Sequence, residues 1–110
     1  MRLFDSEKKK YITRGIDTEI PIYYQIIILR SIETWLIEEV TMDYLQVFKL
    51  EVEINDDGSK IQVIKHSQEV PEKSEEIRVP LEEGQQGINE KIFVIDDGAD
   101  YYTMLLASEY

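Results

Sequence analysis

The sequence predicts an α+β domain: an antiparallel sheet of about five strands with one long helix packed on a face. Three observations predict it. Apolar residues recur at helical spacing between Pro21 and Glu39. Apolar and polar residues alternate from Leu45 to Ile54. The turns Asp56-Asp57-Gly58 and Asp96-Asp97-Gly98 each separate two strand-like runs. The expected order is strand, helix, hairpin, irregular segment, hairpin. Residues 1–110 form one acidic domain on this reading, since domains cluster around 100–150 residues.

The first strand is expected at about Lys10 to Arg14, where Tyr11 alternates with Thr13 before Gly15. The helix follows from Pro21, a residue favoured in a first turn because its missing N–H has no partner there anyway. Ile22, Ile26, Leu29, Leu36 and Val40 form one stripe, interrupted by Glu33, and Ile28, Ile32 and Trp35 form an adjacent one. Ser31, Thr34 and Glu38 are assigned to the wet side. The first half, Ile20 to Leu29, is apolar almost all round, the pattern of a helix covered on more than one side or by another subunit.

Along Leu45 to Ile54, the residues Phe48, Leu50, Val52 and Ile54 point to the core, while Lys49, Glu51 and Glu53 point away. Lys60 to His66 returns. A two-residue Asp57-Gly58 loop would pair Ile54 with Ile61 and Val52 with Val63. Ser67 to Glu90 is broken by Pro71, Pro80, Gly84 and Gly87, and only Ile77 to Val79 is assigned a short edge strand. Lys91 to Ile95 and Tyr101 to Ala107 form the second hairpin, with Phe93 opposite Tyr102 in the simplest register.

Charge supplies most of the functional content. The chain holds 12 Lys and Arg against 23 Asp and Glu, a net charge of −11. Residues 1–30 hold six bases and four acids, so the remaining eighty carry six bases and nineteen acids. That balance argues against direct binding of nucleic acid or of an anionic membrane, both of which call for a basic surface. No apolar segment approaches the roughly 20 residues of a bilayer span, and MRLFDSEKKK has no apolar core of a secretory signal. A cytoplasmic location is expected. With no Cys, disulfides and Cys-ligated zinc are excluded.

Candidate chemistry is sparse. An EF-hand count through Gly58 places Ile64 where the bidentate Glu belongs, and the count through Gly98 begins on Phe93. There is no Gly-rich phosphate loop. His66 is the one histidine, and its neighbour Ser67 would point to the opposite face of a strand. No catalytic residue, cofactor or metal is assigned; an enzyme using His66 is the weaker alternative. Lys8, Lys9 and Lys10 read as lysines that keep an edge strand from pairing.

The acidic residues Glu51, Glu53, Glu72, Glu75, Glu76, Glu82 and Glu83 are the candidate partner-binding surface. Glu51 and Glu53 on one strand face stand roughly 6.6–6.8 Å apart, about two steps of a DNA strand. Such a row imitates phosphates and would occupy the basic nucleic-acid groove of another protein. The other reading is that the charge only keeps the domain soluble. Tyr23 and Tyr24, on the over-apolar helix start, are the candidate interface aromatics for a homodimer.

Three stretches carry a family resemblance: Tyr11-Ile12-Thr13-Arg14-Gly15-Ile16, Asp43-Tyr44-Leu45-Gln46-Val47-Phe48, and His66-Ser67-Gln68-Glu69 followed by Pro71. Over roughly residues 10–71 the chain resembles the bacterial domain of unknown function family nine hundred and sixty, found on Gram-positive chromosomes and mobile elements. The resemblance implies no activity and no catalytic residues. It implies a context in which small acidic proteins inhibit host defence or repair proteins. An inhibitor of a basic nucleic-acid enzyme, such as an anti-CRISPR acting on an RNA-guided nuclease, is the function expected from that context together with the charge.

Overall fold

Alternation along Leu45–Ile54 builds the central strand, β2, and the rest of the sheet assembles on its two edges. The computed structural model describes residues 2–110. Its elements are β1 (Lys9–Ile12), α1 (Arg14–Glu19), α2 (Ile22–Ile37), β2, β3 (Lys60–Gln68), β4 (Lys73–Leu81), β5 (Glu90–Ile95) and β6 (Tyr101–Leu106), followed by a 3₁₀ turn at Ala107–Glu109. The architecture is α+β, with a six-stranded sheet of order β1-β6-β5-β2-β3-β4.

Four expectations need correction. The sheet has six strands, and β1 runs parallel to β6 while every other pairing is antiparallel. The segment read as irregular contains β4, a nine-residue strand paired to β3 along its whole length. Pro80 lies inside β4, where an outermost strand can spare its N–H group. A second helix, α1, precedes the long one. Thr13 caps it, and Gly15 sits within it because the Glu109 carboxylate occupies the place of a Cβ, 2.6 Å from where one would stand. That carboxylate accepts from Thr13 Oγ1, Gly15 N and Leu106 N, which ties α1 to the end of the chain.

Register is the fourth correction. The first hairpin closes through Asn55–Ser59, with Asn55 N–H donating to Ser59 O and Gly58 at φ +85°. This longer turn shifts the pairing by one residue: Ile54 faces Lys60, Val52 faces Gln62 and Phe48 faces His66. In the second hairpin Phe93 faces Leu105, so Phe93 and Tyr102 lie on opposite faces.

Both helices cover the same side of the sheet. Phe48, Leu50, Ile64, Ile92, Val94, Tyr102 and Met104 point into that side and meet Ile16, Ile20, Tyr24, Ile28, Ile32 and Leu36. The stripe around Ile28, Ile32 and Trp35 faces the sheet, whereas Ile22 and Ile26 remain exposed. The segment before β1 closes the core at one end. Phe4 is buried edge-to-face on Tyr102 at 5.1 Å. Lys8 and Asp96 form a buried ion pair at 2.9 Å, and Asp96 Oδ2 also accepts from Phe4 N at 2.8 Å. Burial pushes the Asp96 carboxyl up, but the Lys8 ammonium and the Phe4 and Gly98 N–H groups outweigh it and hold it below its ordinary range.

Removing one partner of this pair leaves an uncompensated charge in the core. Lys8→Met is therefore expected to cost roughly 3–5 kcal/mol, measured by urea denaturation at neutral pH. Because the folded Asp96 carboxyl is depressed, its contribution is present above the unfolded pKa near 4 and is lost as pH falls below it.

Candidate functional site

The single histidine is a core residue. His66 is fully buried between two rings, with Trp35 stacked at 3.6 Å and Phe48 at 4.1 Å. Its Nε2 meets Gln46 Oε1 at 2.7 Å, and its Nδ1 meets Ser31 Oγ at 2.7 Å. The Gln46 amide nitrogen already donates to Asp43 O and Gln68 Oε1, so Gln46 Oε1 is the acceptor and His66 Nε2 carries the proton. Ser31 then donates to the bare Nδ1. Gln68 extends the network by donating to Thr41 O and Pro71 O and accepting from Asp43 N. Desolvation, with a smaller push from the Lys73 ammonium, lowers the His66 pKa to about 3.

A neutral ring clamped between two aromatics, with both nitrogens engaged, is a poor proton shuttle. Its chemistry is to satisfy one serine and one glutamine inside a packed core. Ser31, Gln46 and Gln68 were missed as site residues in the sequence. Ser31 sits on the side of α2 assigned to solvent, yet it is buried. The glutamines carried a readable signal, since both occupy the core phase of strands that otherwise alternate.

The acidic candidates are divided among different environments. Glu51 and Glu53 share the sheet face that no helix covers, as alternation requires, but cations surround them. Glu51 bridges Lys49 at 2.9 Å and Lys65 at 3.4 Å. Hydrogen bonding from Lys49, aided by Lys65, holds the Glu51 carboxyl below its ordinary range against a smaller desolvation effect. Arg78 joins Glu53 at 2.6 Å and Glu76 at 2.9 Å. These three carboxylates fall into two ion-pair clusters, Lys49–Glu51–Lys65 over β2 and β3 and Glu53–Arg78–Glu76 between β2 and β4.

Glu75 points to the helix side of β4 and pairs with Lys73 at 3.2 Å. Glu72 lies in the turn before β4, and Glu82 and Glu83 lie in the loop after it. All three are exposed and make no ion pair among the described residues. Glu69, in the same turn as Glu72, shares that condition. The structure thus collects Glu69, Glu72, Glu75, Glu76, Glu82 and Glu83 along one rim of the sheet, the rim formed by the outermost strand β4. The cations within that span are Lys73 and Arg78, both already paired to glutamates.

The tyrosine candidates separate. Tyr24 is buried in the core, with its hydroxyl pKa raised by burial and then by Tyr23. Tyr23 is 56% exposed and flanked by the exposed Ile22 and Ile26. Among the described residues no group of three or more His, Cys, Asp or Glu side chains is arranged to hold a metal ion, and no helix is long and apolar enough to cross a membrane.

Comparison with known proteins adds family and fold. Residues 9–109 match the model of a family described as a staphylococcal protein of unknown function, DUF960. A solved structure described as a protein of unknown function from Enterococcus faecalis is similar at a TM-score of 0.73 and 26% identity, covering 100% of this chain and 97% of that one. No curated protein matches.

The His66 environment makes a pH prediction. Between pH 6.5 and about 3 the unfolded chain takes up a proton that the folded ring refuses. Stability is therefore expected to fall as pH drops through that window, by at most about 1.4 kcal/mol per pH unit. Urea denaturation at several pH values measures the slope, and His66→Asn should flatten it. A ring that titrates near 6.5 in the folded protein, seen by NMR, would contradict this environment.

Proposed function

The chain belongs to the staphylococcal family of unknown function DUF960, and from that premise, which supplies no activity, we propose that it is a non-enzymatic binding protein whose acidic β4 rim occupies a basic surface of a partner protein. One observation carries the reading. Six carboxylates line the rim from Glu69 to Glu83, and the two cations among them are already paired. The rim is also a strand edge, and an edge offers unpaired N–H and C=O groups to an incoming extended segment. A basic groove shaped for nucleic acid has the complementary charge, and steering between opposite charges speeds encounter.

In this reading the protein acts by occupancy. Carboxylates at Glu72, Glu82 and Glu83 replace phosphates in the partner's groove, and nucleic acid is displaced. Such a protein would serve as an inhibitor of a nucleic-acid enzyme, with an RNA-guided nuclease as one candidate because its heteroduplex lies in a positively charged channel. Glu51 and Glu53 contribute less than their spacing suggests, because Lys49, Lys65 and Arg78 neutralise them within the protein. The sealed His66 favours binding over catalysis.

Affinity capture from a Gram-positive lysate at low and high salt tests the proposal. The combined variant Glu69→Lys, Glu72→Lys, Glu82→Lys and Glu83→Lys should retain its fold, since all four residues are exposed. It is expected to lose captured basic nucleic-acid enzymes by at least about tenfold at low salt, where unscreened charge matters most. Unchanged capture at both salt concentrations would refute the acidic rim.

A further inference from the structure

The helices cover one face of the sheet and leave the other open. That open face carries two rows with no acidic residue, in a chain where 23 of 110 residues are acidic. One row holds Val47, Phe93 and Leu105, with Ser67 and Ser74 beyond. The next holds Leu45, Ile95, Thr103 and Tyr11. Tyr101, at 39% exposure, meets Tyr11 edge-on at 5.4 Å, and Tyr110, at 75%, meets Phe93 at 5.5 Å. Aromatic enrichment and the exclusion of acids mark the centre of a protein interface rather than a solvated surface.

The charges bordering these rows are placed asymmetrically. On one side Lys91, Lys49 and Lys65 stand directly opposite one another across β5, β2 and β3. Like charges directly opposed across strands are unfavourable, and Glu51 bridges only Lys49 and Lys65. Lys91 makes no ion pair among the described residues and lies against the Phe93 ring at 5.6 Å. On the other side, two residues past the apolar rows, the same strands end in acids. Asp43 precedes β2, Asp97 follows β5, and Glu69 and Glu72 flank the turn between β3 and β4.

We propose that the open face is the interface of a homodimer, in which a second copy packs face to face about a two-fold axis lying across the strands between the Leu45 and Val47 rows. That operation reverses each strand onto its own copy. It brings residue 49 over residue 43 and residue 91 over residue 97, so the lysine row of each copy meets the acidic end of its partner. Lys65 comes over the turn that holds Glu69 and Glu72. The apolar rows then pack on themselves at the centre. Under that operation the two copies overlap over residues 43–49 of β2 and the matching rows of the other strands, which at about 3.4 Å per residue and about 4.8 Å per strand is a patch of roughly 20 by 24 Å. That is the low end of specific interfaces, the size of a weak, reversible dimer. A second copy is favoured over single-stranded nucleic acid, which aromatic and lysine residues on a sheet can also hold, because the acidic end completes the charge match only for the former. The inference is independent of the β4 rim and goes beyond it.

Sedimentation equilibrium of the full chain, from about 1 to 100 µM, tests the proposal over the range where a small interface associates reversibly. A dimer is expected for the wild type. Lys49→Glu with Lys91→Glu should raise the dimer dissociation constant at least about tenfold, with thermal unfolding confirming that the variant is folded. Adding Asp97→Lys to that variant should recover part of the association through the restored 91–97 pair, a recovery that general damage to the fold cannot produce; Asp43 is left unchanged because its carboxylate accepts from Tyr44 N and Val70 N. Tyr23→Ser, on the exposed start of α2, should leave the dimer intact. A strict monomer at 100 µM overturns the proposal, as does a dimer broken by Tyr23→Ser and indifferent to the lysine changes. A monomer that binds a single-stranded oligonucleotide through Lys49 and Lys91 also overturns it and assigns the face to nucleic acid.

Discussion

The docking of α2 on the sheet depends on the clamp around His66. Trp35 and Ser31 come from the helix, Phe48 and Gln46 from β2, and His66 itself from β3. Stacking fills the space, and the two hydrogen bonds allow only one alignment of the three elements. A slip of one residue along β3 would turn His66 to the open face and leave Ser31 and Gln46 buried without partners. Polar groups inside a core therefore act here as a register pin. Gln68 extends the same constraint to the strand entering β2 and to the turn before β4.

Fixing α2 to one side leaves the sheet's two faces with different roles. The covered face buries an apolar core, the hydrogen-bonded network around His66, and two polar atoms without hydrogen-bond partners among the described residues, Trp35 Nε1 and the Tyr102 hydroxyl. The open face divides into ion-pair clusters over β2, β3 and β4 and apolar rows over β2, β5 and β6. Across those clusters, charge cancels locally. Among the described acids without an ion pair, Glu69, Glu72, Glu82 and Glu83 lie along the β4 rim, and others lie on the helices and at strand ends. A net charge of −11 is thus distributed in a pattern that a count of residues conceals. Two surfaces of different character result: an acidic edge along β4, and apolar rows over β2, β5 and β6 on the face that no helix covers.

Legibility followed the range of the interaction that decides each feature. β2 matches its expected bounds because ten residues of alternation are a local signal. α2 runs from Ile22 to Ile37, close to its expected span, for the same reason. The register of the first hairpin was misjudged because Asp-Gly favours a two-residue loop, while Asn55 and Ser59 close a longer one through their own hydrogen bonds. β4 was hidden by Pro80 and by charge, since an edge strand needs neither a continuous apolar face nor every N–H group. In α2 two overlapping apolar stripes were visible, and nothing local said which faces the sheet. Glu51 and Glu53 stand out by their spacing on one strand, and that spacing contains no information about Lys65 and Arg78, which neighbouring strands deliver.

By itself the sequence determined an α+β domain, its long helix, its central strand, both hairpins and its acidic balance, because periodicity and composition are written into consecutive residues. Tertiary structure alone decided that His66 is sealed, that Lys8 is buried against Asp96, that Glu51 and Glu53 are paired with cations and that Glu69 to Glu83 lie along the sheet edge formed by β4. Each of those outcomes depends on which strands become neighbours. Coulombic and hydrogen-bonding partners act over a few ångströms of space, and the partners here are as many as 96 residues apart along the chain.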